Sequence, residues 1–151
     1  MEKKSAWERT APIGRYITLF LGGGILYSLL EISTRGYTHW SMTLTGGACL
    51  LIMYLRFTGH PDDSILFKCF YGMCVITAFE FAVGCLVNLV MGWNVWDYSH
   101  MYLNLLGQIC PSYSAGWFWL SLPVALICKR IAPGGSSVSG EIPSEASPEM
   151  Q

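Results

Sequence analysis

Glu80 is the residue whose setting most calls for a chemical role. It stands in Thr77-Ala78-Phe79-Glu80-Phe81-Ala82, near the middle of a long apolar run. A charged side chain at the centre of a membrane-spanning helix costs about 2.5 to 3.5 kcal/mol on insertion scales. Helical spacing of three and four puts Met73, Thr77, Glu80, Gly84 and Asn88 on one stripe. That stripe is small and polar, so it should face protein or water. Two readings fit. Glu80 is a proton or cation site beside a substrate path, or it is a hydrogen-bonded acid that locks helices together. Interhelical polar bonds of the second kind are common and worth about 0.6 to 2 kcal/mol.

Glu31 and Arg35 form a second candidate pair. They are four apart at the end of an apolar run, so they can meet along one helix face, which Gly24 and Ser28 continue. Pairing of this kind is usually structural. Arg35 has two other possible partners, Glu80 and Asp97. The third candidate is the stretch Gly92-Trp93-Asn94-Val95-Trp96-Asp97-Tyr98-Ser99-His100 and its continuation through Asn104, Gln108 and Cys110 to Pro111. Trp and Tyr with a polar edge settle at the headgroup level of a bilayer. The segment therefore reads as an interfacial cap, or as a re-entrant lid in which Asp97, Asn104 and Gln108 supply polar groups. Non-helical backbone at depth is allowed only against protein or a wet cavity.

Other chemistries lack their residues. The six cysteines (49, 69, 74, 85, 110 and 128) show no metal-site spacing, and His39, His60 and His100 do not cluster. A Cys85–Cys110 bridge is conceivable, but small buried hydrophobes are the plainer reading. No nucleophile–base or paired-carboxylate pattern stands out, so an enzyme is not expected, and neither a cofactor nor a metal is implied. Gly22-Gly23-Gly24 lacks the lysine of a phosphate-binding loop and follows no strand, so it reads as helix packing.

The elements that must position these residues follow from composition. The chain has 151 residues, 52% hydrophobic, 14% aromatic and 13% charged, with mean hydropathy +0.40. Soluble domains run near 25% charged. Disorder, a coiled coil or nucleic-acid binding would each need more charge. Four apolar runs are long enough to cross a bilayer core of about 30 Å, which takes roughly 20 helical residues. They are 13–32, 40–57, 66–91 and 115–131. The first has a basic front but no small-residue cleavage site behind it, so it reads as an uncleaved helix. Gly46 and Gly47 should let the second helix approach a neighbour closely. Pro123 should kink the fourth.

Lys and Arg set the expected orientation. With both ends in the cytoplasm, the inner pieces hold Lys3, Lys4, Arg9, Arg15, Arg56, Lys68, Lys129 and Arg130, against Arg35 alone outside. The expected organisation is a cytoplasmic segment at 1–12, a four-helix transmembrane domain at 13–132 and a disordered cytoplasmic tail at 133–151. The tail mixes Gly, Ser and Pro with three Glu, which cannot bury a core.

The Glu80 to Asn88 helix, the Gly92 to Ser99 stretch with Trp96-Asp97-Tyr98-Ser99, and Asn104-Leu105-Leu106-Gly107-Gln108-Ile109-Cys110 together resemble the ABC-transporter type IV (CmpB-like) family of small bacterial integral membrane proteins. In that family a Glu-bearing helix is followed by Trp-Asp-Tyr-Ser, then Asn-x-x-Gly-x-Ile/Val-Cys, then a last helix with aromatic residues. Leu29-Leu30-Glu31 and Arg35-Gly36 resemble the end of its first helix. The likeness covers roughly residues 20 to 130. Pro111 after Cys110, and a second helix without a Gly-Pro-rich start, depart from the pattern. The resemblance implies a transport permease, which would need a separate ATP-hydrolysing subunit.

The expectation is an all-α, polytopic membrane protein of a bacterium or its phage, with an aromatic-rich outer loop between helices 3 and 4. Its function reads as a transporter permease-like subunit of unknown substrate, working as a homo-oligomer or with a partner subunit such as an ATPase. Glu80, Asn88 and Asp97 would line a polar site, and Arg35 would balance its charge. The alternative is a structural or regulatory membrane protein, or a phage-type small pore former, in which Glu80 and Asn88 only join helices.

Overall fold

The computed structural model describes residues 6–131, and the tail expected at 133–151 lies outside them. Those residues are all-α. Helix α1 spans Ala6–Arg35, α2 Trp40–Gly59, α3 Ile65–Gly84 and α4 Pro111–Ile131. α3 continues into a π-helical segment, Cys85–Val90, before the long connection to α4.

Local chemistry fixes the ends. Gly36 leaves α1 at φ +82°, and its N–H reaches back to the Ile32 carbonyl at 2.9 Å. Only glycine takes that left-handed turn without cost. The imidazole of His39 caps α2 by accepting from the Ser41 N–H, and the Ser64 hydroxyl caps α3 by accepting from the Phe67 N–H at 3.2 Å. Pro61 follows α2 closely, where the helix has already ended. Pro111 is the first residue of α4, a position where its missing N–H is no loss. α4 runs on through Pro123.

The helices form two pairs, α1 with α2 and α3 with α4, and α2 joins them by packing on α3 and α4. The first pair is very close. A Cβ on Gly23 would lie 2.7 Å from the Gly46 carbonyl oxygen, one on Gly24 2.6 Å from that of Thr43, and one on Gly47 2.5 Å from that of Phe20. Beside this seam the Ser28 and Thr43 hydroxyls bond at 2.7 Å. Small residues at both faces are what let helix backbones touch in lipid. Gly22 faces open space and takes no part.

The core is mainly apolar, built on Met42, Met53, Phe57, Ile76 and Val87, but it also encloses polar groups, while large apolar side chains cover the outside. Glu31, Ser41, Thr45, Lys68, Glu80, Asn88, Gln108 and Ser121 are buried. Leu26, Leu66, Trp119 and Ile127 stand outward on α1, α3 and α4. Buried Glu31, Lys68 and Glu80 depart from a water-soluble bundle, whose charged groups are almost never fully buried. Two segments are long and apolar enough to cross a membrane, Ile13–Arg35 with 23 residues and Ile65–Val90 with 26. α2 and α4 have 20 and 21 residues and are less apolar along their length.

Lys68, one of the basic residues counted on the inner side, is not solvated. It is fully buried, and its ammonium donates to the carbonyls of Phe57 and Pro61 at 3.4 and 3.1 Å. It thus satisfies acceptors left open at the C-terminus of α2, where the helix dipole favours a cation.

Candidate functional site

The site is built where α1, α3 and α4 converge. On α3, Glu80 lies ten residues before the end of the π-helical segment, or about 15 Å along the axis. Its side chain is 2% exposed. Trp117 of α4 donates its indole N–H to Glu80 Oε2 at 2.6 Å. Tyr27 of α1 donates its hydroxyl to Oε1 at 3.4 Å. The Tyr27 and Trp117 rings stack at 5.7 Å between centroids. Each of the three helices therefore contributes one member of the cluster. Both hydrogen bonds come from neutral donors, and Glu80 has no ion pair among the described residues. One turn below, Thr77 donates to the Ser114 hydroxyl at 3.0 Å, so the polar stripe on α3 faces α4.

Arg35 does not reach Glu80 or Asp97. It pairs with Glu31 along α1, and its guanidinium lies over the Tyr37 ring at 5.6 Å. The i,i+4 spacing makes Glu31 the nearest acid, and Glu31 is 4% exposed, where it would be costly without a partner. The Thr38 hydroxyl takes its second oxygen at 2.5 Å. Arg35 thus makes its ion pair with Glu31 and has no direct contact with Glu80, whose charge it was expected to balance.

Asn88 and Gln108 are brought together as a clamp for the outer loop. Asn88 donates to Gln108 Oε1 at 2.8 Å and accepts from the Val95 N–H at 2.6 Å. The Trp96 indole donates to the Gln108 carbonyl at 3.0 Å. Gly84, one turn before Asn88, makes room, since a Cβ there would lie 2.5 Å from Gln108 Oε1 and 2.8 Å from the Trp96 ring. Asn88 sits in the π-helical segment, a wide turn that often marks functional positions. Asn104 belongs to the loop's own framework. It donates to the Ser99 and Met101 carbonyls and accepts from the Gly107 N–H. The loop holds Leu103 and Leu106 at φ +54° and +53°, a region costly for leucine.

Asp97 stands apart from Glu80. It is exposed, and its carboxylate accepts from the Ser99 N–H and hydroxyl at 2.8 and 2.9 Å. Those two donors hold its carboxyl below the usual range. Its neighbour Tyr98 is buried and stacks on Tyr113 at 4.4 Å. Burial pushes the Tyr98 phenol well above its ordinary value, and a charge on nearby Glu80 pushes the same way.

Sequence reasoning singled out Glu80, Asn88 and Gln108 but missed Tyr27 and Trp117, which hold Glu80. A signal existed for one of them. Tyr27 has a polar edge inside an apolar run, away from the headgroup level where such residues usually settle, whereas Trp117 stands at the start of its run and carries no such mark. A cavity of about 470 Å³ lies between α1 and α4, with Tyr27 in its wall, and a second of similar volume adjoins it with Trp117 in its wall. Among the described residues no cluster of His, Cys, Asp and Glu could hold a metal ion. All six cysteines are free, so the conceivable Cys85–Cys110 bridge is not formed.

What this arrangement can do is hold one proton or one positive charge inside a low-dielectric bundle. A family model described as "Putative ABC-transporter type IV" matches residues 34–146, about three quarters of the chain. No curated protein and no solved structure matches.

Proposed function

Starting from the fact that the chain belongs to the ABC-transporter type IV family, we propose that it is a four-span membrane subunit of a transport system, with both termini in the cytoplasm. The observation that carries this reading is the buried Glu80, bonded by Tyr27 and Trp117 from two other helices and lacking a basic partner among the described residues. A buried intramembrane acid is by default a functional position. The outward apolar faces of all four helices support four spans, and the positive-inside count supports the orientation. In this reading α2 and α4 tolerate their polar residues because those face the bundle. Asn88 and Gln108 hold the outer loop over the site.

The four helices do not hydrolyse ATP by any group described above, so an ATP-hydrolysing partner or a second copy completes the system. A brace role for Glu80 is the competing reading, and it is favoured by one observation: both carboxyl oxygens already have donors. Reporter fusions after Pro133 and in the outer loop test the orientation, and an external reporter after Pro133 overturns it. Glu80→Gln, compared with Asp97→Asn in a transport assay normalised to membrane level, separates the roles. The transport reading predicts normal insertion and lost transport for Glu80→Gln. Loss of expression alone supports the brace.

A further inference from the structure

The backbone of α1 packs on α2 and not on α4. The two cavities fill the resulting crevice, sharing Leu30, Leu120 and Pro123. From Gly23 to Thr34 the crevice follows α1 for twelve residues, or about 16 Å from first to last. Its rims, Leu26, Leu29 and Ile127, are outward-facing and exposed, so it opens onto the apolar flank of the bundle, and its second cavity runs on to the end where α1 stops and α4 begins. The wall around Gly23 to Leu30 is mainly aliphatic, whereas the second cavity is lined by Tyr113, Trp117 and Trp119 with the hydroxyls of Thr34 and Ser112. The stacked rings of Tyr27 and Trp117 come to the surface of the crevice, with Glu80 bonded behind them.

Each feature restricts what could occupy this space. A cation placed beside a buried acid that has no ion pair favours its ionised form and is held by it. Aromatic faces bind cations within about 6 Å of the ring centroid, and bind them best when water is excluded. A phenol that donates to a carboxyl keeps its ring electron-rich, which strengthens that attraction. A bare metal ion would need several oxygen ligands, whereas Tyr27 and Trp117 turn O–H and N–H hydrogens toward Glu80. A neutral acyl chain would fill the crevice but leave the acid unbalanced. Strongly hydrated cations would not cross the mainly aliphatic wall around Gly23 to Leu30.

We infer that the α1–α4 crevice is a binding site for a lipophilic organic cation, of the quaternary ammonium or phosphonium type, which enters sideways from the bilayer. Its charge seats against Tyr27 and Trp117 and is balanced by Glu80, while its apolar groups lie along Leu30, Leu120 and Pro123. The inference rests on the proposed membrane-subunit reading and gives the class of ligand for that same site.

The test is equilibrium binding of radiolabelled tetraphenylphosphonium to the full-length protein in nanodiscs, alongside empty nanodiscs. The expected result is saturable binding of one cation per chain, displaced by tetraphenylarsonium and not by neutral triphenylmethane. Glu80→Gln is expected to weaken it about tenfold or more, equivalent to about 1.4 kcal/mol. Leu120→Trp, which fills the shared part of the crevice without touching Glu80, is expected to weaken it to a similar degree. If Glu80→Gln does not melt cooperatively, Leu120→Trp decides the matter alone. Absence of saturable binding to the wild-type protein overturns the inference, as does wild-type affinity in a folded Glu80→Gln or Leu120→Trp variant. The topology fusions are independent of this ligand. A chain that spans as proposed but binds no cation refutes the ligand class and leaves the membrane reading standing.

Discussion

Trp117→Phe isolates one bond at the centre of the cluster. It keeps an aromatic ring against Tyr27 but deletes the indole N–H that lies 2.6 Å from Glu80 Oε2. In a water-soluble protein, stranding a buried acceptor costs about 1 to 3 kcal/mol, with bonds to charged groups at the upper end. Within a bilayer the measured average for interhelical bonds is only about 0.6 kcal/mol, with a maximum near 1.7, because the unfolded chain also finds partners there. Glu80 is 2% exposed and its other contact, to Tyr27, is long at 3.4 Å. The short indole bond therefore carries most of the stabilisation, and a loss of about 1 to 2 kcal/mol is expected. The assay is reversible unfolding in mixed micelles, with Trp119→Phe as control. Trp119 is 68% exposed and only meets Phe118 edge-on, so that change should cost under about 0.5 kcal/mol. A double-mutant cycle with Glu80→Gln should return a coupling of about 1 kcal/mol. Zero coupling, or equal losses in the two Trp variants, would refute the reasoning.

Gly84→Ala should loosen the outer loop, because its methyl group meets Gln108 and Trp96; faster amide exchange at Val95 and Gln108 reads this directly. Lys68→Ala should destabilise the inner end by about 1 to 3 kcal/mol, since the Phe57 and Pro61 carbonyls lose their donor, and unfolding midpoints measure it. Gly46→Leu should separate α1 from α2, seen as a lost cysteine crosslink between Ser28→Cys and Thr43→Cys, whose hydroxyls meet across the seam. Asp97 has a carboxyl held low by Ser99, so its contribution to the loop is complete above the unfolded value of about 3.9 and fades as the pH falls through the folded value. Proteolysis of the loop in Asp97→Ala and wild type should therefore differ near neutrality and converge in strong acid.

How much of this was legible depended on whether a residue's role is set along one helix or between helices. The stripe through Glu80, Gly84 and Asn88 follows from helical spacing alone, and all three are buried. The close approach of Gly23 and Gly24 to the second helix was legible for the same reason. The ends were less so. α1 and α4 begin before the expected spans, because proline at the start of α4 is tolerated there and polarity does not stop a helix beyond the membrane. Periodicity also does not say how neighbouring helices rotate, so the sequence left the partners of Glu80 open. Tyr27 and Trp117 took those places, while Arg35 took the nearer acid on its own helix. The burial of Lys68 was not legible from a count of basic residues, which assigns it a side but no contacts. Its burial depends on where the carbonyls of the preceding turn lie.

The central claim is that Glu80 lies inside the proposed membrane bundle, separated from the α1–α4 crevice only by the side chains of Tyr27 and Trp117 that bond it. Parallel carboxyl labelling in intact vesicles with a water-soluble and a lipophilic carbodiimide, read by peptide mass spectrometry, tests it most directly. The water-soluble reagent is predicted to label exposed Asp97 and leave Glu80 untouched, while dicyclohexylcarbodiimide labels Glu80. Labelling of Glu80 by the water-soluble reagent as readily as Asp97 would contradict the account.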